Sequence, residues 1–291
     1  MPLRPLGLDD MLTGTVRYMR SNPSLALGVT AVVMVVVQAI QLLVEFALVG
    51  IDPAELAQGR SSGLVGSLIG TVGSSLVSVV LGAVLAGLLL VALGQAVLGR
   101  SIGVRQAWQV IAPRVPGLIA LSLLVWLAIM VVVLAPTFLG LVFAATGSGG
   151  GIVLGLLLLV VAVVVTCYLG VLWVFAPAAY VLEPIGVMAA LRRSVELVRG
   201  YWWRTFGILL LTGLMIVIPA VVVMVVVVLL SVLLPPAAML ISVPLAAVVL
   251  ATFATPFGVG VTGLLYLDQR IRKERLDLEL ARSADWPAAP R

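Results

Sequence analysis

The sequence predicts an all-α integral membrane protein: about six transmembrane helices in three parallel repeats, each a short amphipathic surface helix followed by two spans. Three observations predict it. Of 291 residues, 63% are hydrophobic and only 10% charged, against about 25% charged in an ordinary soluble domain. Apolar runs of about 18 residues or more, the length that crosses a hydrocarbon core, recur along the chain. The basic residues gather at every second boundary between those runs.

The candidate spans cover about 24–50, 64–98, 117–145, 151–182, 203–234 and 237–267. The first follows Arg17 and Arg20. It far exceeds the roughly 7–15 apolar residues of a secretory signal, and no small-residue cleavage site follows, so it reads as a retained span. The second repeats Gly66, Gly70, Ser74, Ser78 and Gly82 every fourth position. That stripe lets a neighbouring helix approach closely, with a pore lining as the alternative. TGSGGG at 146–151 lacks a P-loop lysine and reads as a tight connection between the third and fourth spans.

Cys167, the only cysteine, lies in the apolar run VAVVVTCYLGVLW of the fourth span. It excludes an intrachain disulfide and a cysteine metal cluster, and reads as a small packing hydrophobe. Pro219 falls in the fifth span, and Pro244 and Pro256 in the sixth. Each removes a helical hydrogen bond, which predicts kinks or breaks. TFATPFGVGVTG in the sixth span also allows a broken helix that offers free backbone groups to a ligand.

Arg4, Arg17 and Arg20 precede the first span; Arg100, Arg105 and Arg114 separate the second and third; Arg192, Arg193, Arg199 and Arg204 separate the fourth and fifth. Arg270, Arg272, Lys273, Arg275, Arg282 and Arg291 follow the sixth. The alternate loops hold only Arg60, beside Asp52 and Glu55. The positive-inside rule places the basic side in the cytoplasm, with both termini there and the chain in the cell membrane. This gives a six-span membrane domain over 1–269 and a charged cytoplasmic tail over 270–291. The net charge of +5 therefore belongs to membrane boundaries and does not indicate nucleic acid.

EPIGVMAALRRSVELVRGYWWRTFG, Glu183 to Gly207, carries charge between two apolar blocks. As a helix, 187–199 places Val187, Met188, Leu191, Val195, Leu197 and Val198 on one broad face and Arg192, Arg193, Glu196 and Arg199 on the other. Glu196 is spaced to meet Arg192 or Arg199. The expectation is a helix on the inner membrane surface. Arg192, Arg193 and Arg199 would meet anionic inner-leaflet headgroups there, Trp202 and Trp203 would lie in the aromatic belt, and Arg204 would snorkel. A docking face for a cytoplasmic partner is the alternative.

The same order of features starts at Gly7, Gly103 and Gly186, which defines approximate repeats 7–98, 103–182 and 186–267. Asp9 and Asp10, a carboxylate pair on paper, fit the cap and dipole of the first short helix. The tail from Asp268 reads as a charged helix leaving the membrane.

Three segments carry a family resemblance: RPLGLDDMLTGTVRYMRSNP, APAAYVLEPIGVMAALRRSVELVRGYWWRTFGILLL and LLYLDQRIRKERLDLEL. Together they resemble the glycerophosphoryl diester phosphodiesterase membrane-domain family, as found in high-GC Gram-positive bacteria. The resemblance implies the membrane fold alone. The phosphodiesterase barrel fused to that region in some proteins would need about 250 further residues.

The chain contains no histidine, which removes the commonest general base and metal ligand. No catalytic, cofactor-binding or metal-binding residue is predicted. The polar group that stands out is Gln38, Gln41 and Glu45, on one face of the first span. It reads as hydrated near the outer boundary, or else as a substrate or proton path. The expected function is a non-catalytic scaffold or accessory subunit of the cell envelope, partnered by the bilayer and by another membrane protein or a second copy. The alternative is a transporter or lipid-handling protein that uses a groove between repeats.

Overall fold

The computed structural model describes residues 7–49, 64–97, 102–231 and 238–274. Among them the chain is helical, without strands. Helix α1 is Leu8–Ser21, followed by a π-helical turn Ser24–Val29 and α2, Thr30–Val49. Next come α3 (Leu64–Val97), α4 (Val104–Ile111) and α5 (Val115–Ala144), the last two joined by a 3-10 turn at Ala112–Arg114. The remainder is α6 (Gly149–Trp173), α7 (Ala176–Leu182), α8 (Val187–Val198), α9 (Trp202–Ser231) and α10 (Met239–Glu274). Six stretches are long and apolar enough to cross a membrane: Ser24–Val44, Gly70–Val97, Val104–Ala144, Gly149–Leu182, Trp202–Leu230 and Ile241–Lys273. This is a helical, multi-pass architecture.

The short helices α1, α4 and α8 start alike. Each follows a glycine in extended backbone: Gly7 at φ −76°, ψ 169°, Gly103 at φ −78°, ψ 158° and Gly186 at φ −80°, ψ 169°. Glycine supplies no capping side chain, so the third helical residue reaches back instead. Asp10 accepts the Gly7 N–H at 3.0 Å, and Gln106 accepts that of Gly103 at 3.4 Å. Asp10 thus caps α1 as its position predicts.

Packing concentrates toward the end that carries the basic residues. Met11 and Tyr18 of α1, Leu85, Leu89 and Leu93 of α3, Phe175, Leu197 and Tyr266 are essentially inaccessible. One face of α1, formed by Met11, Gly14, Thr15 and Tyr18, is therefore buried against the spans, while Asp9, Thr13, Val16, Arg17 and Arg20 stay exposed. Glycines on α10 allow the close approach: a Cβ on Gly260 would meet Thr15 at 2.5 Å, and one on Gly263 would strike Leu93. Hydrocarbon tails are as apolar as leucine, so such fits and hydrogen bonds, rather than escape from water, hold helices together in a bilayer.

Three expectations change. Helices α9 and α10 run unbroken through Pro219, Pro244 and Pro256, so TFATPFGVGVTG is a continuous helix. The fourth span, read as one helix, is instead interrupted by a turn at Val174–Phe175 and resumes as α7 with Pro177 in its first turn. Cys167 is exposed on α6 and does not pack in the core. TGSGGG is a tight connection: Gly147 takes φ +67°, and Ser148 caps α6 by accepting the Gly151 N–H at 3.0 Å.

Candidate functional site

The polar chemistry of the described residues gathers at the basic end in two linked carboxylate centres. Glu183, just past α7, accepts from Arg193 of α8 at 3.2 Å and pairs with Arg270 of α10 at 3.5 Å. The Tyr266 hydroxyl donates to the same carboxylate. Asp268, one turn from Arg272, is wholly inaccessible; it accepts from Arg204 of α9 at 2.6 Å and from Arg272 at 3.0 Å. Among the described residues, two carboxylates thus meet four guanidiniums drawn from α8, α9 and α10.

Backbone groups freed by helix ends are taken up in the same region. The break between α6 and α7 exposes an N–H and a carbonyl that hydrocarbon cannot satisfy. Ser194 of α8 answers both: its Oγ accepts the Phe175 N–H at 3.1 Å and donates to the Leu172 carbonyl at 2.7 Å. Arg114 donates to the carbonyls of Tyr180, Val181 and Glu183 at 2.8–3.1 Å and so caps α7. Lys273 donates to the carbonyls of Glu196 and Arg199 at the end of α8. The Tyr18 hydroxyl donates to the Leu89 carbonyl at 3.2 Å, and burial raises its pKa above the usual tyrosine range. Both amide atoms of Gln269 are buried with no partner among the described residues.

The predicted lipid-contact residues divide. Arg192 and Arg199 are exposed, as is Trp203 at 77%, whereas Arg193 is committed to Glu183. Trp202 stacks on Phe206 with centroids 5.1 Å apart. The buried face of α8 is Ala190, Leu191, Ser194, Leu197 and Val198; it packs into the protein core, and Met188 stays exposed. Glu196 pairs with neither Arg192 nor Arg199 among the described residues. Arg204 does not snorkel, because Asp268 holds it.

In the first span, Gln41 donates to Ser78 of α3 at 2.8 Å. Gln38 and Gln41 line a cavity of about 250 Å³ with Ser78, Gly82 and Ala251. Ser78 and Gly82 of the small-residue stripe therefore face α2. Glu45 lies within α2, but its side chain is outside the described residues, as are Arg4, Arg60, Arg100 and the tail beyond Glu274. A larger groove, about 660 Å³, runs between α1, the π-helical turn, α9 and α10, with Arg20 among its lining residues.

Sequence reasoning placed Arg114 and Asp268 only as boundary charges and gave no site role to Glu183 or Tyr266. The signal available was Asp268 itself, a carboxylate at the end of an apolar run with Arg272 four residues on. A comparison with protein-family models finds no match, and neither the curated proteins nor the solved structures show one.

Proposed function

We propose that this chain is a non-catalytic protein of the cell membrane, with both termini cytoplasmic, that serves as a scaffold or accessory subunit in the cell envelope. One observation carries the reading. Glu183, Arg193, Arg204, Asp268, Arg270 and Arg272 are spent on one another, and Arg114 and Lys273 on helix-end carbonyls, which makes a fixed platform at the basic end. The exposed arginines Arg192 and Arg199 lie on its rim, available to anionic headgroups or to a partner. Three parallel units, each a short helix and two spans, are supported by the matching glycine starts of α1, α4 and α8. The resemblance to the glycerophosphoryl diester phosphodiesterase membrane-domain family supports the same architecture and adds no activity.

Crosslinked pull-down from native membranes, with proteins and lipids identified together, tests the scaffold. A reproducible membrane-protein partner, lost when Arg192 and Arg199 are changed to Glu, is expected; recovery of the chain alone would count against it. Orientation is tested in a Cys167→Ala background. Gly150→Cys should react with an impermeant thiol reagent in intact cells, and Met188→Cys only after the membrane is opened. The reverse pattern would invert the topology.

A second reading, a lipid-handling protein, is favoured by the groove, which lies between the first and third units. It predicts lipid movement across vesicles that contain the protein, and its absence would remove that reading.

A further inference from the structure

The lateral groove has one charged lining residue in an otherwise apolar wall. Met19 and Leu27 line one side, Met215 and Pro219 of α9 another, and Phe253 and Phe257 of α10 the third. Its volume, about 660 Å³, lies within the roughly 300–1,000 Å³ of small-molecule sites. Leu27, Met215, Pro219, Phe253 and Phe257 all belong to stretches that qualify as membrane spans. What fills such a groove in a bilayer is hydrocarbon.

Arg20 gives that hydrocarbon a head. It lies in the last turn of α1 and is exposed, and it makes no ion pair or hydrogen bond among the described residues. The nearby Tyr18 carbonyl is already taken by the Asn22 N–H and the Ser21 hydroxyl. Arg17, one turn earlier, is exposed and likewise unpaired among the described residues. Arg193, Arg204, Arg270 and Arg272 differ, each holding a carboxylate. A guanidinium at the edge of hydrocarbon is costly unless it is matched, and phosphate oxygens match its fork. Two exposed arginines one turn apart on α1 favour a headgroup with net negative charge.

We propose that this groove holds one phospholipid of net negative charge, with an acyl chain against α9 and α10 and its phosphate on Arg20, Arg17 beside it. The site is the one that the lipid-handling reading uses, and the inference requires only that a lipid resides there, not that it moves.

The test uses the full chain in mild detergent with phosphatidylglycerol and phosphatidylcholine of distinct acyl mass, and counts retained lipid by native mass spectrometry. Wild type should keep one phosphatidylglycerol in preference to phosphatidylcholine. Arg20→Gln should cut that preference about tenfold, the scale of a lost charged hydrogen bond, while Arg105→Gln leaves it unchanged. Ala254→Trp, and separately Ala220→Phe from the facing wall, should expel the lipid, each judged only if its melting temperature is that of wild type. Equal retention of the two lipids by wild type would overturn the proposal. So would an Arg20→Gln variant indistinguishable from wild type, or a protein dimer displaced by the groove-filling variants. Lipid retained without movement in a vesicle flux assay would support the inference and end the lipid-handling reading.

Discussion

The basic end and the opposite end of this bundle are built by different rules. Toward the basic end, helices interlock through fully buried residues, glycine contacts and paired charges. At the other end, α9 from Val217 to Leu230 and α6 from Ile152 to Val165 are largely exposed. The close fits there join α5 and α6, where a Cβ on Gly155 would meet the Gly140 carbonyl at 2.7 Å and one on Gly151 would strike the Phe143 carbonyl. Among the described residues, the opposite end is rich in valine and leucine, yet it packs less. The lesson is physical: in lipid an apolar surface has nothing to gain by meeting another apolar surface, so adhesion follows small residues and polar pairs.

The comparison breaks most readily at Asp268. Its carboxylate is inaccessible and holds two guanidiniums, so Asp268→Asn removes the buried negative charge that both arginines meet. A loss of about 3–5 kcal/mol is expected, read as a large drop in melting temperature in detergent. Restoring apolar neutrality with Asp268→Leu, Arg204→Met and Arg272→Met together should recover much of it. A single Asp268→Asn that melts like wild type would mean the basic end is not held by its charges.

Serine tests the same contrast at both ends. Ser194→Ala strands a buried N–H and a carbonyl at the break between α6 and α7, at a cost of about 1–3 kcal/mol. Ser148→Ala removes an exposed cap, so a loss nearer about 1 kcal/mol is expected. The ranking is the test, measured by thermal unfolding of the two variants in the same detergent. An equal or reversed order would show that the break needs no stitch.

How much was legible follows from the same physics. The six spans could be read because length and hydropathy alone define them, and Gly7, Gly103 and Gly186 marked the short helices correctly. Which face of α1 packs inward was not legible. Its polar look comes from Asp9, Asp10 and Arg17, while Tyr18 and Met11 turn inward by a choice that only neighbours decide. Pro177 went unnoticed as the start of α7, while Pro219, Pro244 and Pro256, expected to kink or break their helices, break none of them. A membrane helix tolerates proline when its surroundings absorb the freed carbonyl. The two carboxylate centres were hidden because Glu183 and Asp268 meet partners up to 87 positions apart, and local spacing cannot report that.

Between the two ends lies Gln41, whose bond to Ser78 is a single hydrogen bond across α2 and α3. Hydrogen bonds of this kind average about 0.6 kcal/mol in membranes, so Gln41→Leu should shift stability by that order. A loss of envelope function with that small shift would point to a path through the cavity shared with Gln38. Preserved function would leave the pair as packing.

The smallest effect belongs to the exposed wall of α6. Leu157 and Val160 are 57% and 58% exposed and face lipid in the isolated chain, so shortening them removes contacts that acyl tails replace. Leu157→Ala and Val160→Ala should each stay within about 0.5 kcal/mol of wild type in detergent. The scaffold reading adds a second expectation, because a surface without an internal partner is open to an external one. If a membrane protein docks on this wall, changing Leu157 to Trp should leave the melting temperature of the purified chain alone and reduce its crosslinked recovery from native membranes. A clear destabilisation in detergent would instead show that α6 packs inside the chain, and the contrast between the two ends would fail there. Unchanged stability with unchanged recovery would move the docking surface away from α6 and back to the arginine rim at the basic end.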